Sequence, residues 1–188
     1  VSTGYLCWTF ANELDTQTCK QIIDLGKDKW QEAKFVKGGY NKTDEKVRVT
    51  EVVWLNDQWL FDVVFSYMNH ANANSGWNFK IDTAEAMQLT KYPKAGHYHF
   101  HQDGNGVQTF DEPKNQYLNN KARKISMSII LNNEYEGGEF EFFGDPQLIK
   151  EKKGTILTFP SYQVHRVRPI TKGTRYSLVV WFLGEPFK

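Results

Sequence analysis

The sequence is short of cysteine, of long apolar runs and of excess charge, and each shortage removes a class of protein. Two cysteines, Cys7 and Cys19, cannot build a disulfide framework, and neither belongs to a C-x-x-C pair. A reducing compartment follows. With no signal-peptide pattern at the start, the expected location is cytoplasmic. No apolar stretch reaches the length of a membrane span, so no membrane partner is expected. Lysine and arginine total 23 against 22 acidic residues, a net charge of +1, and no nucleic-acid partner is expected from bulk charge. Internal repeats and low-complexity tracts are absent. Histidine is scarce too, with five in 188 residues, a length that fits one domain.

What is present divides by texture. Asp15 stands as an N-cap before Cys19, Ile22, Ile23 and Trp30 at helical spacing, which predicts a helix over about 16–30. A second helix follows "LND", with Leu60, Val63, Val64, Tyr67, Met68 and Ala71 as its apolar stripe and "NANSG" as its stop. His70 lies beside that stripe and reads as a surface or boundary residue. From about residue 86 the pattern turns to short strands: "AMQLTKY", the histidine segment, "KISMSIILN", "EYEGGEFEFF", "GTILTFP", "HRVRPI" and "RYSLVVWFL". Residues 104–122 are polar, carry Gly, Asn and Pro, and read as a long mobile loop. Helices followed by strands, with 15% aromatic residues, predict an α+β fold with helices packed on a β-sandwich or barrel.

Three of the five histidines fall in "GHYHFHQDG". On an ideal strand His97, His99, His101 and Asp103 share one face. Side chains two apart begin roughly 6–7 Å from each other. Two neighbours can meet one ion, and four in a row cannot. The candidate pairs are His97 with His99, His99 with His101, and His101 with Asp103. The third ligand must come from elsewhere, and His165, between two predicted strands, is better placed than His70. His101, Asp103 and His165 make two histidines and a carboxylate, a set that suits non-haem iron and, in ligand type, also zinc. Ten residues beyond His165, Arg175 and Ser177 share a strand face and form a fork for one carboxylate. A salt bridge to a core glutamate is the plainer alternative for that arginine.

In this combination the chain resembles the iron(II)- and 2-oxoglutarate-dependent oxygenases, in particular their prolyl hydroxylase branch, over residues from about 88 to 183. "YPKAGHYHFHQD" resembles the family segment of a tyrosine, a glycine-bearing spacer, a second tyrosine and His-x-Asp. "RKISMSIILNNEYEGGEFEFF" resembles the next strands with the Gly-Gly-Glu turn. "GTILTFPSYQVHRVRPITKGTRYSLVVWF" resembles the last strands. The arginine resembles bacterial and oxygen-sensing members; collagen-type enzymes carry lysine there. Two departures stand out. Gly96 lies one place nearer His101 than in many members. Ile130 stands where several prolyl hydroxylases have a tyrosine that helps hold 2-oxoglutarate.

The resemblance implies a double-stranded β-helix (jelly-roll) core with N-terminal helices against one sheet. It implies a single oxygenase domain over 1–188, about 1–85 as support and about 86–188 as the catalytic jelly-roll. The cofactors implied are Fe(II), 2-oxoglutarate and O2, with ascorbate as an optional reductant. His101, Asp103 and His165 become the metal ligands. Arg175, Tyr92 and Ser177 become the 2-oxoglutarate contacts, and Tyr98, Trp181 and Arg166 stand in the substrate region. The activity implied is hydroxylation of a prolyl residue in a peptide or protein, with release of succinate and CO2, and the 104–122 loop is placed to act as a lid. Three alternatives remain: the same chemistry on a free amino acid or small metabolite, a metal-binding module without turnover, and a zinc hydrolase of similar shape.

Overall fold

The computed structural model describes residues 5–37, 40–42, 46–149 and 152–188, and its two helices form where the apolar stripes predict. Helix α1 (Thr16–Leu25) opens on Asp15, whose Oδ1 accepts from the Thr18 N–H at 2.9 Å. It is shorter than the expected 16–30. The chain leaves the helix at Gly26, where a Cβ would stand 2.6 Å from Leu89 Cδ2, too close for any side chain. Trp30 lies beyond the helix, its ring 5.8 Å from that of Tyr176. Helix α2 (Gln58–Asn74) buries Leu60, Val64, Met68 and Ala71. His70 sits at the edge of that stripe, its ring 5.5 Å from Phe10.

The strands, in chain order, are β1 (Trp8–Phe10), β2 (Gln31–Glu32), β3 (Phe35–Lys37), β4 (Tyr40–Lys42), β5 (Arg48–Val49), β6 (Glu51–Leu55), β7 (Thr83–Ala84), β8 (Met87–Tyr92), β9 (His97–His101), β10 (Ala122–Ile130), β11 (Tyr135–Gly137), β12 (Phe140–Phe142), β13 (Leu148–Ile149), β14 (Ile156–Pro160), β15 (His165–Val167), β16 (Ile170–Gly173) and β17 (Arg175–Gly184). The larger sheet runs β1-β14-β10-β17-β8-β6-β2, with β7 on β17, and the smaller runs β13-β12-β15-β9-β5. β11 pairs with β16, and β3 with β4. The architecture is the expected α+β double-stranded β-helix.

Alternation along β10 and β17 assigns the two faces of the larger sheet. Ile125, Met127 and Ile129 of β10 and Leu178, Val180 and Phe182 of β17 point outward to one core shared with α1 and α2. On the opposite, inner face stand Ser126, Ser128, Arg175 and Ser177, all buried, because the smaller sheet covers them. A second cluster fills the space between the sheets: Tyr92, Phe140, Phe142, Leu157, Phe159, Val167 and Ile170. Small polar side chains on the inner face leave room that large apolar ones would fill.

The 104–122 segment is tied down along its length. Phe110 N–H donates to Lys121 O at 3.0 Å and Asn120 N–H to Phe110 O at 2.9 Å. Lys121 Nζ pairs with Asp82 at 2.6 Å, and Tyr117 and Leu118 line a groove with Phe61 and Phe65 of α2. Among the described residues, no helix is long and apolar enough to cross a membrane.

The outer core carries the stability. Leu89, fully buried beneath Gly26, is expected to cost about 2–5 kcal/mol on change to Ala. Asp15→Ala, which removes only the α1 cap, is expected to cost about 1 kcal/mol. Urea unfolding midpoints of the two variants check the ranking.

Candidate metal centre

β9 does not present its histidines as an ideal strand would. It ends at His101, and Asp103 stands in a bend beyond it. His101 pairs with His165 and Tyr98 with Val167, so β9 advances three residues while β15 advances two. The extra residue is a β-bulge. It turns Tyr98 onto the face of His101, the rings stacked 3.5 Å apart at 16°. The expectation of four residues on one face is therefore corrected. His97, next to Tyr98 before the bulge, faces the other way, its Nδ1 3.0 Å from Ala95 O. His99 is exposed, and its Nδ1 accepts from the Phe100 N–H at 2.7 Å.

The bulged pairing brings three donors together. One ligand atom from each of His101, Asp103 and His165 lies within 4.8 Å of the others. His101 Nε2 is 3.5 Å from Asp103 Oδ1, and His165 Nε2 is 3.7 Å from Asp103 Oδ2. The far nitrogens are already engaged: His101 Nδ1 is 2.8 Å from His99 O and His165 Nδ1 is 2.9 Å from Gln163 O. A carbonyl requires a donor, so each Nδ1 carries the proton and each Nε2 turns a lone pair toward Asp103. The ring of His165 is held by Phe140, 5.1 Å away and nearly parallel, and by Phe159 at 4.7 Å.

The charge states suit a divalent cation. Burial pushes His165 down to about 4, against the pull of Asp103. Burial opposes ionisation of Asp103, but His165, His101 and Arg123 outweigh it and hold the carboxyl well below its usual range. A neutral imidazole and an anionic carboxylate are what a metal of the iron or zinc type needs.

On the inner face of the larger sheet, Arg175 is 1% exposed. Its Nη1 donates to Ser177 Oγ at 3.1 Å, and its Cζ lies 5.1 Å from the centre of the Tyr92 ring. Its Nε has no partner, and it forms no ion pair among the described residues. The core glutamate that would make it an ordinary salt bridge is not among them. A buried guanidinium without an anion is costly, so the geometry fits a carboxylate supplied by a ligand. Beside it lies a small cavity of about 10 Å³ lined by Ser128, Ile130, Tyr135, Gly138, Phe140, Ile149 and Leu157 with Arg175. The Gly-Gly turn shapes this cavity. Gly138 has φ of +69°, and a Cβ there would overlap Ile170 and stand 3.2 Å from Arg175 Cδ.

Of the other expected residues, Trp181 faces inward at the end of the chamber nearer Asp103. The Arg123 guanidinium lies 4.1 Å from the centre of its ring, and its indole N–H has no partner. Arg166 does not join the centre. It lies between His165 and Val167, which point inward, and pairs with Glu141 at 2.8 Å on the outer face. Ser128 and Tyr135 on the cavity wall and the pair Arg123–Glu85 are not among the residues expected from sequence. Ser128 had a visible signal, a polar residue alternating with apolar ones on β10. Tyr135 and Glu85 had none, because other strands bring them in.

These ionisation states make acid destabilising for the metal-free protein. His165 takes up a proton near 6.5 when unfolded and only near 4 when folded. Its contribution is complete above about 6.5 and is lost as pH falls toward 4, with that of Asp103 lost at lower pH still. The melting temperature of the metal-free protein is expected to fall between pH 6.5 and 4.5, and His165→Gln to flatten that slope. Equal melting temperatures at pH 7 and 4.5 would contradict it.

Known proteins resemble this chain in sequence and fold. The sequence profile of the 2OG-Fe(II) oxygenase superfamily matches residues 87–183, more than half of the chain. A protein of Acanthamoeba polyphaga mimivirus, named as a candidate prolyl 4-hydroxylase, is 23% identical over 190 residues, covering 94% of this chain and 73% of that one. A PKHD-type hydroxylase of a Picosynechococcus strain is 35% identical over 86 residues, covering 44% of this chain and 39% of its own length. The chain thus matches less than half of that relative. Among solved structures, a Trichoplax adhaerens prolyl hydroxylase, in complex with a hypoxia inducible factor peptide fragment, superposes with a TM-score of 0.74. It is 18% identical and covers 94% of this chain and 83% of the other, a likeness of fold. With the profile matched across the strands that carry the His-Asp-His centre and Arg175, the chain belongs to the 2OG-Fe(II) oxygenase superfamily and is an enzyme of Fe(II), 2-oxoglutarate and dioxygen.

Proposed function

We propose that His101, Asp103 and His165 hold Fe(II), that Arg175 with Ser177 receives the far carboxylate of 2-oxoglutarate, and that the substrate is a prolyl residue of a peptide or protein. The observation that carries the cosubstrate assignment is the buried Arg175, without a carboxylate partner, on the inner face of the same chamber as the His-Asp-His cluster. What supports the prolyl substrate is the naming of the mimivirus relative and of the Trichoplax structure.

Each residue then has a defined task. The two imidazoles and Asp103 would hold the ion through three donor atoms from the protein. When bound, iron and 2-oxoglutarate supply the oxidising chemistry, in which 2-oxoglutarate goes to succinate and CO2 and one oxygen atom is placed on the substrate carbon. Arg175 orients the cosubstrate through a charge-assisted hydrogen bond, with Ser177 fixing the guanidinium. Tyr92 serves Arg175 through its ring face. Tyr98, whose phenol burial pushes upward in pKa, stays protonated, and its ring holds His101 in place. Phe140, Phe159 and Leu157 keep water from the cavity. Trp181 and Tyr98 border the space left for the substrate.

Two measurements test the proposal. Protein, Fe(II), ascorbate and 2-oxoglutarate are expected to give succinate, stimulated by proline-containing peptides that gain one oxygen atom. Stimulation by free proline alone would move the substrate to small molecules, and iron binding without succinate would favour a module without turnover. Arg175→Met removes an uncompensated buried charge, so the metal-free variant is expected to melt at or above the parent. The parent should gain about 2.7 kcal/mol from metal with 2-oxoglutarate at a hundred times its Kd. The variant should gain little from the cosubstrate. An equal gain would sink the Arg175 assignment.

A further inference from the structure

Asp103 is held by something other than its strand. β9 ends two residues earlier. The Asp103 and Gly104 N–H groups both donate to Ser161 O at 3.1 Å, which fixes one side of the bend. On the other side, Arg123 Nη1 donates to the Asp103 carbonyl oxygen at 3.1 Å. Arg123 reaches this point because the β10–β17 pairing shifts register between Arg123 and Ile125. The shift turns its side chain onto the face of Trp181, whose ring lies 4.1 Å below the guanidinium. Two further donors of the fork are committed to Glu85, Nε to Oε1 at 2.5 Å and Nη2 to Oε2 at 2.7 Å. Glu85 is itself anchored, its N–H donating to Trp181 O at 3.0 Å.

Arg123 and its carboxylate partner thus form a rigid planar unit whose one free edge grips the main chain of Asp103. A lysine can supply the charge but not two parallel bonds to Glu85 together with a third in a fixed direction. Without the grip, the Asp103 carbonyl has no other protein donor among the described residues, and the peptide that aims the carboxylate at His101 and His165 is free to turn. Gly104 allows the close approach: a Cβ there would lie 2.8 Å from Arg123 Cβ.

We propose that Arg123, clamped by Glu85, is a positioning residue for Asp103 and thereby sets the affinity of the centre for a divalent metal. This rests on the reading of Asp103 as a metal ligand. The test is Mn(II) binding by calorimetry to metal-stripped protein. Glu85→Gln and Arg123→Lys are each expected to weaken Mn(II) by about tenfold to a hundredfold, as loss of such a support does. Because the two act as one unit, the double variant should lose little more than either single one. A merely structural pair would lower the melting temperature and leave the Mn(II) affinity of the folded protein unchanged. Mn(II) affinity within twofold of the parent in both single variants overturns the proposal, provided Asp103→Ala loses the metal. If Asp103→Ala also keeps it, the ligand assignment itself falls, and the positioning role with it.

Discussion

The antiparallel pairing of β9 with β15 is the constraint on which the rest of this molecule depends. It sets His165 opposite His101 across the smaller sheet. One extra residue in β9 then makes the local geometry useful. In a regular ladder Tyr98 and His101 would point to opposite sides. With the bulge they stack, and the strand ends in time for Asp103 to fold back between two imidazoles. The main-chain carbonyls of His99 and Gln163 finish the arrangement by holding the Nδ1 protons, so both Nε2 atoms turn inward.

The larger sheet answers with an inner face that is unusual for a buried surface. Serines at 126, 128 and 177 and the guanidinium of Arg175 stand where a sandwich of this size would place valine or leucine. Their outward neighbours do the conventional work of packing against α1 and α2. The two faces divide stability from function. Apolar burial against the helices holds the sheet, and the polar inner face tolerates an unpaired charge because the rest of the fold over-determines its position. A cosubstrate carboxylate would offset that charge, which makes binding and folding partners in one free-energy balance.

A third layer of support reaches the His-Asp-His cluster from outside it. Glu85 precedes β8, and Arg123 is the second residue of β10, just after the tied-down 104–122 segment. Their ion pair connects the end of that segment to the main chain of Asp103. The 104–122 segment is therefore continuous, through Arg123, with the wall of the chamber. Phe110 within it lies 5.7 Å from the Arg123 guanidinium.

Local pattern and chemistry made much of this legible beforehand. Both helices, most strands from β8 onward, the polar face of β10 and the residue types of the centre follow from periodicity and from the few residues able to bind a metal or a carboxylate, whereas β1 to β7 do not. The sequence by itself determined that His101, Asp103, His165 and Arg175 were the ones to watch, because residue chemistry is local information. It could not determine where α1 stops, since Gly26 ends the helix against Leu89 of a strand more than sixty positions later. Nor could it tell that His97 and His99 turn away, or that Arg166 leaves the site for Glu141. It was silent on Glu85 and Tyr135. Only tertiary structure decided these points, because register, bulges and the choice of inner face are settled between strands. A shift of one residue there reverses the direction of every side chain that follows.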